Sequence, residues 1–406
     1  MSGKKIAVLI IPVAVVAIVL SLIYLWPNLP NYLDYLMPGG RPPAVPDPTN
    51  DTDDGNGTRV ITVRGLSTPS AFLFTDRWVA QYNMEEHLGK VQATYSNQVD
   101  SIGALDNASV EGLVSSSADF VITGNVSQNS SDFGTARILP ISPQAIAIVY
   151  NVPGFPDVPS GLKLDPLTLS AILSGNATLW DDQRIAALNP EIVLPHQRIV
   201  LVGSPQDSAA SRLVDQYVSA SNASIAWHDA ELFADNPSDV AAAVRRTPNS
   251  IAYVDFTFAV QTRMTYAALQ NADGDFVLPG SETIGKAIMN GTLADSLAEA
   301  NGTMLETQNA TTTTIPTIDI GSLGNGSYPV VSFYYVVFQS PQGMDIANLT
   351  SVASNITEAE RREAATIELV HWISGEDGQR MLGDLQYSQI YDIHDALRSY
   401  RDGILG

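Results

Sequence analysis

The chain lacks cysteine and is short of basic residues. Its 406 residues include no Cys and only 21 Lys and Arg against 43 Asp and Glu. Without cysteine there are no disulfides, thiolate metal sites or cysteine nucleophiles. The formal charge of −22 argues against a nucleic-acid-binding protein, which normally presents a basic face, and against docking on anionic lipid. An anionic ligand is not excluded, because a deep site built from backbone N–H dipoles is screened from surface carboxylates.

Residues suited to catalysis are also scarce. No Gly-x-Ser-x-Gly elbow, Walker loop or dinucleotide fingerprint occurs, and the paired acids Asp181 and Asp182 fit a helix cap. The histidines show no pair at metal-ligand spacing. They are His87, His196, His228, His371 and His394. We therefore predict that the protein is not an enzyme and uses no metal or cofactor.

One long apolar run stands near the N-terminus. Residues 6–26 are almost entirely apolar and follow Lys4 and Lys5. Because the run is long enough to span hydrocarbon, we predict an uncleaved signal anchor, with residues 1–5 in the cytoplasm and the remaining chain outside. Residues 27–58 are rich in Pro, Gly, Asp and Asn and are predicted to form a flexible stalk. The alternative is a cleaved signal peptide, but no small-x-small motif follows the run.

Acceptor sites for N-linked glycans are frequent. One Asn-x-Ser/Thr site is weak support, but many of them behind a signal anchor favour a glycoprotein. The alternative is that Asn, Ser and Thr are simply abundant in this chain. The candidate sites are Asn50, Asn56, Asn107, Asn125, Asn129, Asn176, Asn222, Asn290, Asn301, Asn309, Asn325, Asn348 and Asn355.

From residue 59 onward, short apolar runs alternate with helical patterns, which predicts an α/β fold. The predicted strands are residues 60–63, 91–95, 120–123, 145–150, 199–202, 251–254 and 328–338. The predicted helices are residues 71–83, 110–116, 167–174, 210–219, 241–246 and 358–372. Residues 301–328 are rich in Thr, Gly and Asn and are predicted to form a surface insertion, whereas residues 386–390 and 395–401 close the fold.

The strand at residues 199–202 leads through a turn of small residues into a helix with Ser208 as its candidate N-cap. This arrangement directs free backbone N–H groups and the positive end of the helix dipole at one spot, which suits an anion. The alternative is an ordinary strand-to-helix turn of an α/β domain. Motifs elsewhere in the chain are needed to choose between an anion site and an ordinary turn.

Several motifs across the chain together resemble those of the substrate-binding protein of the phosphate-specific ABC transporter, the Pst type. The Trp-Asp-Asp and Leu-Asn-Pro motifs at their spacing are the most specific. The motifs are Gly65-Leu-Ser-Thr-Pro-Ser-Ala71 before a helix with Trp78, Ala118-Asp-Phe120, Asn151-Val-Pro-Gly154, Trp180-Asp-Asp182, Leu188-Asn-Pro190, Leu194-Pro-His-Gln197, Thr247-Pro-Asn-Ser-Ile-Ala-Tyr253, Tyr328-Pro-Val-Val331 and His371-Trp372.

The resemblance implies a two-lobed, periplasmic-binding-protein-like (type II) fold that closes over an anion. Residues 59–138 and 258–406 would form lobe 1 and residues 139–257 lobe 2, with crossings near residues 139–141 and after Val254. The implied partners are phosphate or another small solute and an ABC permease or other cell-surface subunits. The membrane is a further predicted partner, through the N-terminal apolar run. The residues implied to bind the ligand are Ser67, Thr68, Ser70, Ser204, Gln206, Ser208, Ala209 and Ala210.

The sequence departs from the family at the anion site. The family's cradle is Arg-x-Asp-Gly-Ser-Gly-Thr, and of its residues only the serine is kept, as Ser208. Ser204 replaces the arginine that neutralises phosphate, and Gly124 replaces the acidic group that accepts the proton of hydrogen phosphate. Asp106 and Asp207 add carboxylates, while Arg64 is a candidate for a displaced charge. Phosphate binding is therefore expected to be weak or absent, and a surface glycoprotein without phosphate binding or a binder of another ligand remain open alternatives.

Overall fold

A computed structural model describes residues 61–96, 99, 118–126, 136–154, 161–206, 208–227, 230–291, 315–339 and 357–405. The predicted signal anchor, stalk and helix at 110–116 lie outside these residues, as do Asp106 and Asp207. Within the described ranges, no helix is long and apolar enough to cross a membrane.

The described ranges alternate strands with helices. The strands are β1 (Ile61–Ser67), β2 (Gly89–Tyr95), β3 (Phe120–Thr123), β4 (Ala136–Asn151), β5 (Lys163–Leu164), β6 (Val200–Gly203), β7 (Leu232–Phe233), β8 (Ser250–Asp255), β9 (Thr265–Tyr266), β10 (Ala268–Gln270), β11 (Phe276–Val277) and β12 (Val331–Gln339). The α-helices are α1 (Phe72–Met84), α2 (Pro166–Leu173), α3 (Gln183–Leu188), α4 (Ala209–Ser219), α5 (Pro237–Arg246), α6 (Phe256–Gln261), α7 (Ser281–Gly291), α8 (Glu358–Ser374), α9 (Glu376–Gly383), α10 (Ile390–Ile393) and α11 (Asp395–Leu405).

The strands form a large mixed sheet in the order β2-β1-β3-β12-β4-β8-β6-β7, with β9 also paired to β4. A smaller sheet has the order β11-β10-β5. β1 pairs in parallel with β2 and β3, and β6 pairs in parallel with β7 and β8. Parallel neighbours need crossover connections, and helices supply them here. The predicted α/β class is confirmed.

Strand β4 joins the two groups of parallel strands. Its first part pairs with β12 from Ala136 to Ala145, and its last part pairs with β8 from Ile146 onward. Pro140 and Pro143 lie in the first part of β4. Because β8 pairs only with the last part, the N–H groups that these prolines lack interrupt no hydrogen bonds on the β8 side of the strand. The division into two lobes, with its crossing points, stays a prediction.

The C-terminal region holds β4 through side chains that bond its carbonyl groups. Tyr400 Oη donates to the carbonyl of Ile138 at 2.9 Å, and Gln379 Nε2 donates to the carbonyl of Ile141 at 2.8 Å. Because these carbonyls lie within the core, each needs such a partner. Of the two segments expected to close the fold, residues 395–401 lie in α11 and contribute the Tyr400 contact.

Most predicted elements agree with the structure, but the predicted surface insertion at residues 301–328 is partly wrong. Leu323 and Tyr328 are fully buried within its described end. Leu323 packs closely over Gly291, where an added Cβ would lie 2.5 Å from Leu323 Cδ2. Tyr328 Oη donates to the carbonyl of Ile146 at 2.7 Å. The composition, rich in Thr, Gly and Asn, gave no indication that Leu323 and Tyr328 are core residues. Strand β12 begins at Val331 rather than at Tyr328.

Candidate functional site

A cavity of about 70 Å³ lies where the end of β3, the middle of β4, helix α4 and strand β12 meet. These elements come from both groups of parallel strands. The lining residues with polar side chains include Asn125, Gln144, Arg212, Gln216, Thr317 and Ser332. The described residues around the cavity include no Asp or Glu. A cavity of this size suits a small ligand of a few heavy atoms.

Helix α4 presents one face to this cavity. Ala209, Arg212, Leu213 and Gln216 all line it, at the i, i+3, i+4, i+7 spacing of one helical face. Ser208 caps the helix, since its Oγ accepts the Ser211 N–H at 3.1 Å. The predicted N-cap is confirmed. The cavity therefore adjoins the first turn of α4, where the helix dipole favours negative charge.

Gln144 is a buried polar residue in the cavity lining. The residue is 1% exposed, and among the described residues neither Oε1 nor Nε2 has a hydrogen-bond partner. Gly124 lies against it: an added Cβ would stand 2.5 Å from Oε1 and 2.6 Å from Nε2 of Gln144. The carboxamide therefore fills the space that a side chain at position 124 would need.

The predicted first turn of the site is largely engaged with the protein itself. The Thr68 N–H donates to the Ile122 carbonyl at 3.0 Å, and the Ala71 N–H donates to the Thr68 carbonyl at 3.1 Å. Ser67 is fully buried, and its Oγ donates to the Thr68 carbonyl at 3.2 Å. Thr68 is equally buried, with no partner for its hydroxyl among the described residues, and Ser70 is half-buried. These groups do not line the cavity.

The predicted second turn contributes mainly through the start of α4. Of its predicted ligands, Ala209 lines the cavity. Ser208 uses its hydroxyl as the helix cap. Ser204 and Ala210 are half-buried, Gln206 is exposed, and none of these three is among the lining residues.

Sequence reasoning missed Gln144 and Arg212. Arg212 follows Ala209, a predicted ligand that does line the cavity, by three residues, so its place on the same helix face could have been found from the i+3 spacing. Gln144 had a weaker signal, since it is one polar residue in an apolar, proline-containing strand. Only the fold brings it against Gly124.

Arg64, the candidate for a displaced charge, is bound elsewhere. Its Nε lies 3.7 Å from Asp119 Oδ2, and its backbone N–H donates to the same oxygen at 2.7 Å. Burial raises the pKa of Asp119, although the hydrogen bond from Arg64 opposes this shift. Arg64 therefore pairs with Asp119 instead of facing the cavity.

Asp255 forms a buried polar network at the end of β8. Tyr334 Oη donates to its Oδ2 at 2.7 Å, and Tyr387 Oη donates to its Oδ1 at 3.0 Å. Thr257 also bonds Oδ1, through its N–H and its hydroxyl. Burial raises the pKa of Asp255 to about 6, although hydrogen bonds from Thr257 and Tyr334 act in the opposite direction. This network ties β8 to β12 and to the C-terminal region.

A larger cavity of about 270 Å³ lies away from the predicted ligands, next to Gly154. Arg245 and Arg263 line it, but both are exposed to solvent. The described residues contain no group of acidic and histidine side chains suited to a metal ion. The smaller cavity with its buried carboxamide is therefore the better candidate for specific recognition.

The chain is similar to proteins named as phosphate-binding proteins. The chain is 28% identical over 217 residues to the phosphate-binding protein PstS of Methanocaldococcus jannaschii, covering 49% of this chain and about half (52%) of that relative. It is 24% identical over 368 residues to PstS of Xylella fastidiosa, and the match covers 86% of this chain and 89% of that relative. The ancestral soluble variant of the human phosphate-binding protein shares the fold, with a TM-score of 0.54 at 12% identity, over 84% and 93% of the chains.

These comparisons confirm the resemblance that the sequence motifs indicated. A family model described as a PBP superfamily domain matches residues 53–355. Since that match covers most of the sequence, the chain belongs to the PBP superfamily.

Proposed function

We propose that this protein is the extracytoplasmic solute-binding component of an ABC importer and binds a small oxyanion of the phosphate type in the cavity on α4. The names of the curated relatives, which are phosphate-binding proteins, support this ligand class. The observation that carries the proposal is the composition of the cavity lining. In a chain of formal charge −22, the lining includes Arg212 and, among the described residues, no carboxylate.

The location of Arg212 strengthens this argument. Arg212 lies on the cavity face of α4, one turn from its N-terminus, so its guanidinium and the helix dipole both favour a negative ligand there. The half-buried side chain acts in a medium of lower dielectric than water, where each charge interaction is stronger. Arg212 thus takes over the neutralising role for which Ser204 is unsuited.

We further propose that residues 6–26 anchor the protein in the membrane, with the binding domain outside and residues 27–58 as a stalk. The apolar run behind Lys4 and Lys5 supports this arrangement. N-terminal sequencing of membrane-extracted protein tests it. A mature N-terminus within or beyond the stalk would contradict the anchor.

Titration calorimetry tests the ligand. The full-length chain, purified in detergent, is titrated with inorganic phosphate and with sulfate. We expect phosphate to bind with a dissociation constant of roughly micromolar to millimolar, corresponding to about −8 to −4 kcal/mol. Arg212→Gln should weaken binding at least about tenfold, because a charged hydrogen bond contributes about 1.5–3 kcal/mol. Arg246→Gln, an exposed arginine at the end of α5, is the matched control and should leave binding unchanged.

A second candidate function is a surface glycoprotein that has kept the fold and lost the anion, or that binds a different ligand. The engagement of the Thr68 and Ala71 amides with protein carbonyls favours it, since they are not offered to a ligand. This candidate predicts that neither phosphate nor sulfate gives a binding isotherm. The same titration therefore separates the two functions.

A further inference from the structure

Among the described residues, two glutamines are buried, and their surroundings are opposite. Gln379 is 2% exposed, and its Nε2 donates to the carbonyls of Ile141 and Ile373 while its Oε1 accepts the Ile390 N–H. Gln144 is 1% exposed and has no partner for either amide atom among the described residues. The hydrogen bonds of Gln379 to the backbone explain why a polar side chain is buried there, whereas no such bonds explain the burial of Gln144.

An unpartnered buried amide is unfavourable, since it loses its bonds to water and gains none in return. An apolar side chain of similar size would serve the packing of β4 better. Gln144 also lines the cavity that adjoins the first turn of α4. A ligand in that cavity would supply the missing partners.

The position of Gln144 is linked to that of Gly124. Because an added Cβ at Gly124 would lie 2.5 Å from Gln144 Oε1, a carboxylate side chain at 124 and the present Gln144 cannot occupy the same space. Position 124 is where the resembled family carries the acidic acceptor. Because position 124 has no side chain, the carboxamide of Gln144 occupies the space into which an acceptor at 124 would extend.

We propose that Gln144 determines ligand specificity by pairing with the edge of an oxyanion that carries a hydroxyl next to an anionic oxygen. This inference rests on the proposed function. Oε1 accepts the proton of the hydroxyl, and Nε2 donates to the neighbouring oxygen, which uses both halves of the carboxamide. Arg212 supplies the positive charge. Hydrogen phosphate has such an edge, whereas sulfate at neutral pH has no proton to donate.

The carboxamide discriminates in a different way from a carboxylate. A carboxylate at this point only accepts, so an unprotonated anion meets repulsion there. A carboxamide is neutral and also donates, so sulfate loses one hydrogen bond but is not repelled. We therefore expect the protein to prefer phosphate over sulfate by a moderate factor, about ten, which corresponds to one hydrogen bond to a charged group.

Titration calorimetry of the full-length chain with inorganic phosphate and sulfate tests this inference. Gln144→Met, of similar size but apolar, should weaken phosphate binding by about tenfold to a hundredfold and bring the ratio of the two affinities close to one. Gln144→Glu should raise that ratio above the parent's, because it restores an acceptor that sulfate cannot satisfy. Gln197→Met, an exposed glutamine outside the cavity, is the control and should bind as the parent does.

The outcomes separate the two proposals. Equal phosphate binding by the parent and Gln144→Met, with both proteins folded by circular dichroism, would overturn the role of Gln144 and leave the proposed function standing. A ratio that Gln144→Glu leaves unchanged would also overturn that role. If the parent binds neither anion, the proposed function itself fails.

Discussion

The carboxamide of Gln144 occupies the space in front of Gly124, so that a Cβ at residue 124 would lie 2.5 Å from its Oε1 and 2.6 Å from its Nε2. A real Cβ does not approach a polar atom this closely. Glycine at 124 and glutamine at 144 are therefore one unit, although 20 residues separate them in sequence.

This pairing predicts strong coupling between substitutions at the two positions. Gly124→Ala alone should displace Gln144 and lower both the free energy of unfolding and phosphate affinity, because overpacking costs about 1–3 kcal/mol. In a Gln144→Ala background, the same change should cost little, since the space is then empty. Urea denaturation of the single and double variants measures the coupling, and additive effects of the two changes would contradict the contact.

Substitution by methionine should affect the free energy of unfolding differently at the two buried glutamines. Gln379→Met removes buried hydrogen bonds to Ile141, Ile373 and Ile390 and should lower the free energy of unfolding by about 2–4 kcal/mol. Gln144→Met removes two polar atoms that have no hydrogen-bond partner among the described residues, and it should be neutral or stabilising without ligand. Urea denaturation in phosphate-free buffer compares them. A loss of stability in Gln144→Met as large as in Gln379→Met would show that Gln144 is structural.

Asp76 should make stability depend on pH. Burial raises its pKa from the ordinary value of 3.8 to about 7, although the charge of Arg77 opposes this shift. The folded protein therefore holds this proton more tightly than the unfolded chain, and the stability it contributes is present below about pH 4 and is lost as the pH rises to about 7. Burial of Asp255, with a pKa of about 6, acts in the same direction over a narrower range.

Thermal melts between pH 4 and pH 8 measure this effect. We expect Asp76→Asn to flatten the fall of the melting temperature with rising pH, because the asparagine does not ionise. Asp392→Asn, which changes an exposed aspartate in α10, is the control and should keep the parent's profile. A steeper fall in Asp76→Asn than in the parent would contradict the buried position of this carboxyl group.

Glycosylation should avoid the cavity. Asn176, Asn222, Asn290 and Asn325 are exposed and accessible to a glycan, but Asn125 is half-buried and lines the cavity. A glycan at Asn125 and a ligand in the cavity would compete for the same opening. We expect peptide mass analysis of the glycosylated protein to find Asn125 unmodified. A fully occupied Asn125 in protein that still binds phosphate would place the ligand elsewhere.

The sequence predicted what depends on local patterns. Strand β3 has its predicted bounds, and the cap at Ser208 is where the small-residue turn placed it. The site was harder to predict than the secondary structure, because it depends on contacts between segments that are distant in sequence. Gln144 is a polar interruption of a buried strand until β3, α4 and β12 close around it. The motif also placed the ligand at Ser204, whereas the charge that lines the cavity comes from Arg212.

The central claim is that an oxyanion binds between Gln144 and Arg212. A crystal structure of the full-length chain with arsenate, a phosphate isostere that scatters anomalously, tests it most directly. We predict an anomalous peak in the cavity on α4, with arsenate oxygens within about 3 Å of the Gln144 carboxamide and the Arg212 guanidinium. A peak beside Arg245 and Arg263 in the larger cavity, or no peak at all, would contradict it.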